Sequence, residues 1–134
     1  MSLEILNVNH VNIRVPAARE AAARHFYGVV LGLRQIPKPH GPRKNIGAWF
    51  EIGATQLHMS LAEGEDNSAS DAHVCYQVPD IAGAKFHLQQ AGIEILKDES
   101  ETSAGRFFIR DPGGNMIEIA QASEPTRDAQ HLGS

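Results

Sequence analysis

Residues 10–16 read HVNIRVP and residues 73–79 read HVCYQVP, with His, Val, Val and Pro at the same places in both. Within each stretch apolar and polar residues alternate, the period of a strand with one buried face. Each copy is followed by a segment of helical character that ends at a glycine, Gly32 in VVLGLRQI and Gly92 in QQAGIEIL. An aromatic strand comes next, AWFEIG at 48–53 and RFFIRDPGG at 106–114. A last strand closes each copy, QLHMSL at 56–61 and NMIEIA at 115–120. Both copies read strand, helix, strand, strand, strand, and a repeat of this kind decides the architecture. The expectation is an α+β chain of 134 residues forming one domain (1–134) from two βαβββ modules, about 5–62 and 72–121, with a tail at 122–134.

Local chemistry fits that layout. Asp80 precedes the second helix and is placed to cap its open N–H groups. Ile81, Ala84, Leu88 and Ala91 recur at helical spacing, and Gly92 stands where a left-handed residue ends a helix. In the first copy Pro16 opens the helix, Ala22, Phe26 and Val29 or Val30 form its inner stripe, and Gly32 ends it. Asp-Pro-Gly-Gly at 111–114 is a turn signal. The polar, acidic stretch AEGEDNSASD at 62–71 reads as a linker.

Composition narrows the function classes. Hydrophobic residues make up 42% of the chain, enough for a packed interior. Twelve Lys and Arg against 16 Asp and Glu leave a net charge of −4 without a basic stripe, which speaks against nucleic acid as a partner. The N-terminal residues lack the charge and apolar run of a signal peptide, and no stretch approaches the roughly 20 apolar residues of a membrane span. Cys75 is the one cysteine, so no intrachain disulfide forms, and a cytoplasmic location is expected. In an alternating strand a lone Cys reads as packing sooner than as a nucleophile.

Successive side chains of a strand point to opposite faces. Val11, Ile13 and Val15 therefore oppose His10, Asn12 and Arg14; Val74, Tyr76 and Val78 oppose His73, Cys75 and Gln77. Leu57, Met59 and Leu61 oppose Gln56, His58 and Ser60, while Ile117 and Ile119 oppose Met116 and Glu118. The apolar faces serve the helices. The polar faces carry His10, His58, His73 and Glu118, and these four match across the repeat. His10 and His73 each begin an HVxxxVP run; His58 and Glu118 each stand five residues after a glycine, Gly53 and Gly113. Three imidazoles and one carboxylate suit one divalent ion per site of the Fe, Mn, Co, Ni or Zn kind. The alternative is that these residues only line a solvated sheet face.

HVNIRVP, FYGVVLGL (26–33), HVCYQVP and RFFIRDPGGNMIEIA (106–120) together resemble the vicinal oxygen chelate superfamily over roughly residues 5–121. That superfamily holds glyoxalase I, extradiol dioxygenases, methylmalonyl-CoA epimerase, and the fosfomycin- and bleomycin-resistance proteins. The resemblance implies mixed, curved sheets enclosing a cup, with metal ligands on the first and last strands of each module. By position these are His10, His58, His73 and Glu118. It further implies a homodimer and a small-molecule substrate that chelates the metal through two neighbouring oxygens. Members differ at the place of His58, where glyoxalase I usually has a carboxylate. The ring-cleaving enzymes match His10, His58 and Glu118 but do not usually offer a ligand at the place of His73. The reaction therefore stays open among lyase, isomerase and dioxygenase.

In a proton-transfer version Glu118 is the catalytic base, as the one basic oxygen of the set. In a dioxygenase version His10, His58 and Glu118 form a facial triad on iron. Asn12, Arg14, Gln56 and Gln77 share the site face and can orient substrate or ligands. Trp49 and Phe50 alternate on a strand, so one faces the site and can stack on substrate while core packing claims the other. PKPHGPRKNIG (37–47) reads as a cationic lid or as an ordinary surface loop. The competing class is a metal-free, ligand-sequestering binder of the bleomycin-resistance kind, which needs no donors at the four positions.

Overall fold

The protein is described by a computed structural model over residues 2–39, 47–64 and 66–123. Its first sheet holds β1 (His10–Pro16), β2 (Gln35–Ile36), β3 (Ala48–Ile52) and β4 (Thr55–Ala62), in the order β1-β4-β3-β2. β1 runs parallel to β4, with His10 against Gln56, Asn12 against His58 and Arg14 against Ser60. β3 turns back antiparallel at Gly53 (φ 54°), and this sets Trp49 opposite His58 and Phe50 opposite Leu57. The register puts like with like: Val15, Phe50, Leu57 and Met59 are buried together on one face. A slip of one residue would exchange the two faces.

The chain between β1 and β2 is helical. It enters through a 3-10 turn at Ala17–Arg19, runs as α1 (Glu20–His25) and continues as a π turn at Phe26–Val30. The buried stripe is Ala23, Phe26 and Tyr27; Ala22 is exposed and Val29 is 64% exposed. The stripe expected from regular helical spacing is therefore one residue out of phase at its start. A 3-10 turn advances three residues per turn instead of 3.6, and the π turn then takes one residue more, so the spacing drifts at both ends. Gly32 (φ 71°) ends the segment.

The second sheet holds β5 (His73–Val78), β6 (Leu96–Glu99), β7 (Arg106–Arg110) and β8 (Met116–Gln121), in the order β5-β8-β7-β6. The two halves repeat the same βαβββ plan. α2 (Ile81–Gln90) buries Ile81 and Leu88, and Gly92 (φ 80°) lies just past its end. The Asp80 side chain accepts a hydrogen bond from the Gly83 N–H at 3.1 Å. Asp80→Ala is expected to lose about 1 kcal/mol of stability, the ordinary worth of an N-cap, measurable by denaturant unfolding.

Lys85 of α2 bonds Asp98 of β6 at 2.5 Å. That bond, the Ser100 hydroxyl and the Ser100 N–H hold the Asp98 carboxyl down at about 2, against an ordinary 3.8. A carboxyl with a depressed folded value stabilises above its unfolded value and loses that contribution as pH falls through the folded one. The stability gap between the parent and Asp98→Asn is therefore expected to be level from about pH 5 to about pH 8, to shrink below about pH 4 and to be mostly gone by about pH 2. Denaturant midpoints across that range check it.

Among the described residues the chain packs as two units, one within residues 1–73 and 110–116 and the other within 74–109 and 117–134. The Asp-Pro-Gly-Gly turn thus belongs with the first unit, and its bonds show why. Asn67 donates from Nδ2 to the Arg14 carbonyl (2.8 Å) and to Asn115 Oδ1 (3.0 Å), and its N–H bonds the Gly113 carbonyl. Within the segment expected as a linker, Asn67 is therefore an anchor to Arg14, Gly113 and Asn115. The basic part of the lid segment, with Arg43 and Lys44, and most of the tail lie outside the described residues. Among the described residues no helix is long and apolar enough to cross a membrane.

Candidate functional site

The polar face of the first sheet carries a stack of three rings. The His58 imidazole lies on the Trp49 indole at 3.7 Å between centroids and 3° between planes. The His10 ring covers its other side at 4.1 Å and 16°. The register produces this, because β1 and β3 flank β4 and deliver His10 and Trp49 to either side of His58. His58 is only 8% exposed as a result, although it stands on the polar face. Burial pushes its imidazole below the usual histidine range, and the nearby charges of His10 and Lys38 add to that. The neutral form, the one that can ligate a metal, is thereby favoured.

The ring nitrogens are engaged in a consistent way. His10 Nδ1 bonds Asn9 Oδ1 at 2.8 Å and His73 Nδ1 bonds the Asp71 carbonyl at 3.0 Å. A carbonyl can only accept, so Nδ1 of His73 carries a proton, and in the neutral ring the lone pair is on Nε2. Histidines that bind metals have their second nitrogen held in this manner. His58 is turned the other way: Nε2 bonds Gln56 Oε1 at 2.9 Å, which leaves the lone pair to Nδ1. Asn12 donates to the Ser60 hydroxyl at 3.0 Å on the same face, and Arg14 is exposed beyond it.

On the second sheet, His73, Cys75 and Gln77 stand exposed along β5, opposite in sense to Val74, Tyr76 and Val78. Glu118 of β8, 14% exposed, sits on the same face as Cys75, whose thiol is hydrogen-bonded to it. Burial pushes the Cys75 thiol up, and the Glu118 charge pushes it the same way. Arg106 Nη1 approaches Glu118 Oε2 at 3.8 Å.

Of the expected site residues, the structure brings His10, His58, Gln56 and Trp49 together, with Asn12 and Arg14 further along the same face. Phe50 is a correction to the substrate-binding set. Its side chain is wholly buried on the opposite face, against Tyr27 and beneath Gly28, where no substrate reaches it. Among the described residues no three His, Cys, Asp and Glu side chains gather at one point. Two residues at Glu118, Arg106 and Cys75, are absent from the set expected from sequence. A signal for the first exists: even-numbered positions of β7 share their face with Glu118, since Phe107 and Ile109 are core.

Comparison with known proteins agrees with this architecture. The family model for the Glyoxalase/Bleomycin resistance protein/Dioxygenase superfamily matches residues 7–119. Ethylmalonyl-CoA/methylmalonyl-CoA epimerase of Cereibacter sphaeroides is 30% identical over 133 residues, covering 85% of this chain and 96% of the relative. Glyoxylase I 4 of Arabidopsis thaliana is 25% identical over 127 residues, covering 87% and 71%. A crystal structure described as a glyoxalase-family protein, from Bacillus anthracis, superposes with a TM-score of 0.80 at 32% identity over 92% of this chain and all of that one. A match over most of the chain, on the fold described above, establishes that this protein belongs to the Glyoxalase/Bleomycin resistance protein/Dioxygenase superfamily, the vicinal oxygen chelate proteins.

Proposed function

We propose that the chain is a divalent-metal-dependent enzyme of the lyase or isomerase kind, moving a proton on a small oxygenated metabolite, with His10, His58, His73 and Glu118 as the metal ligands. The observation that carries the reading is the His10–His58 pair: two imidazoles on one sheet face, both with one ring nitrogen bound to an amide oxygen. His73 repeats that pattern in the second half, and Glu118 adds the one carboxylate, so the donor chemistry fits a divalent transition ion. His10 and His58 stand on β1 and β4 of the first sheet, and His73 and Glu118 on β5 and β8 of the second; a homodimer is the assembly expected of this family.

Such an ion, when bound, supplies Lewis-acid stabilisation to two neighbouring oxygens of the substrate. The protein's own groups do the rest. Glu118 receives a proton on a carboxylate oxygen, being the only carboxylate of the set. Asn12, Arg14 and Gln77 orient polar parts of the substrate, and Trp49 offers a planar wall beside His58. Gln56 fixes the tautomer of His58. Proton transfer is favoured over ring cleavage because two relatives that match over most of this chain are named as a glyoxylase and an epimerase.

The test is metal analysis of purified protein after reconstitution, followed by α-hydrogen exchange in D2O. Two probes serve: branched malonyl thioesters and hemithioacetals of a 2-oxoaldehyde. The expected result is about one equivalent of ion per subunit and metal-dependent exchange with one of the probes. Less than about a tenth of an equivalent in folded protein would turn the reading to the metal-free binder. Bound metal with catechol cleavage and no exchange would turn it to the dioxygenase.

A further inference from the structure

Arg106 of β7 brings a fixed positive charge to Glu118, and three neighbours fix where it points. Glu99 is its direct partner across the β6–β7 pair and accepts from Arg106 Nε at 3.3 Å. The guanidinium lies over the Phe108 ring, 5.8 Å from its centroid. Its Nη1 then stands 3.8 Å from Glu118 Oε2, on the neighbouring strand of the sheet. Cys75 bonds the same carboxylate, and its strand flanks β8 on the other side. Glu99, Arg106, Glu118 and Cys75 thus follow one another across all four strands, β6, β7, β8 and β5, on one face.

An isolated exposed ion pair between Arg106 and Glu99 would be worth little. The geometry here does something else. A guanidinium tied through Nε to Glu99 and standing over the Phe108 ring has fewer rotamers left, which keeps Nη1 on the side of Glu118. We infer that Arg106 is the positioning residue of the Glu118 carboxylate, kept in place by Glu99 and Phe108, and that this row presets the carboxylate for ligation. The inference rests on the reading of Glu118 as a ligand. Partners that hold ligand carboxylates typically set metal affinity by about 10- to 100-fold. Against this runs the repulsion between the guanidinium and a bound cation, which Glu99 offsets by neutralising Arg106 from its far side.

The experiment is calorimetric titration of chelator-stripped full-length protein with Co2+ alone, with unfolding temperatures of the metal-free proteins alongside. Arg106→Leu is expected to weaken Co2+ binding about tenfold and Arg106→Lys by no more than about threefold. Glu99→Gln, which only loosens Arg106, is expected to weaken it about threefold. Metal-free unfolding temperatures should stay level in Glu99→Gln, whose ion pair is exposed, and fall modestly in Arg106→Leu, which leaves the mostly buried Glu118 carboxylate without its cation. Affinity in Arg106→Leu equal to or tighter than the parent's overturns the inference. If that variant does not fold, parent-like affinity in Glu99→Gln overturns it instead. Glu118→Gln separates the two readings. Parent-like Co2+ binding there removes Glu118 from the ligand set, whereas its loss alongside parent-like binding by Arg106→Leu overturns only the role of Arg106.

Discussion

Asp111→Ala is expected to cost about 4 kcal/mol of stability and to lower the unfolding temperature by roughly 10–15 °C, the largest effect of any single truncation proposed for this chain. Asp111 is 5% exposed and its carboxylate accepts four hydrogen bonds. Tyr27 O–H reaches Oδ2 at 2.5 Å and Asn115 Nδ2 reaches the same oxygen at 2.9 Å. The N–H groups of Gly113 and Asn115 reach Oδ1 at 2.8 and 2.9 Å. Truncation leaves four donors without this acceptor, at about 1 kcal/mol or more each. The turn cannot relax outward to find new partners. A Cβ on Gly113 would already meet Val15 Cγ1 at 2.6 Å, and one on Gly114, at φ +83°, would meet the Ser68 backbone nitrogen at 2.6 Å. The corner is therefore packed to the backbone on both sides. Tyr27→Phe removes the hydroxyl that bonds Oδ2 and should cost only about 1 kcal/mol, so the pair separates the hub from its shortest spoke. Denaturant unfolding of the two variants measures both. A loss under about 1 kcal/mol in Asp111→Ala would show that the corner is hydrated and that the hydrogen bonds are replaceable.

That hub also marks where the sequence is readable and where it is not. Asp-Pro-Gly-Gly is visible as a turn, and Asp80, Gly32 and Gly92 are visible as helix ends, because each acts through a local preference of its own residue type. The alternation in HVNIRVP and QLHMSL puts His10 and His58 on one face correctly for the same reason. What Asp111 holds is invisible along the chain: Tyr27 is 84 residues away, and only the fold introduces them. The choice between Trp49 and Phe50 has the same character. Alternation says that they part, but only the β3–β4 register, Trp49 to His58, says which one joins the site. Asn67 reads as linker because a polar loop residue and a polar anchor residue look alike in sequence. Arg106 is absent from the site read off the sequence, although its parity with Glu118 holds the clue. The reaction itself is less legible still, since lyases, isomerases and dioxygenases of this superfamily share one frame and differ in donors and pocket shape.

On the proposed ligand set, His58→Ala is expected to weaken metal binding at least about 100-fold, since changes in residues that merely hold a ligand already cost about 10- to 100-fold. The stack supplies an internal reporter for it. Trp49 is the only tryptophan of the chain, and its indole lies 3.7 Å from the His58 ring at 3°. An ion taken up by His58 must change the electronic surroundings of that indole, so titration of the parent with Co2+ is expected to shift or quench its emission. In His58→Ala the residual response should vanish at concentrations that saturate the parent. His10→Ala makes the sharper comparison. It removes a donor as well, so binding weakens, but the Trp49–His58 contact survives, and the emission should still respond once enough ion is added. The stability costs should be small and of the same order in both, about 1 kcal/mol for a lost ring contact, so unfolding does not mimic the effect. Phe50→Leu supplies the opposite control. Its ring is in the core, so it should lower stability by about 1 kcal/mol and leave the ion titration untouched. Parent-like affinity in His58→Ala would mean that the three-ring stack is only a hydrophobic lining of the sheet, and the ligand set would have to be sought without it.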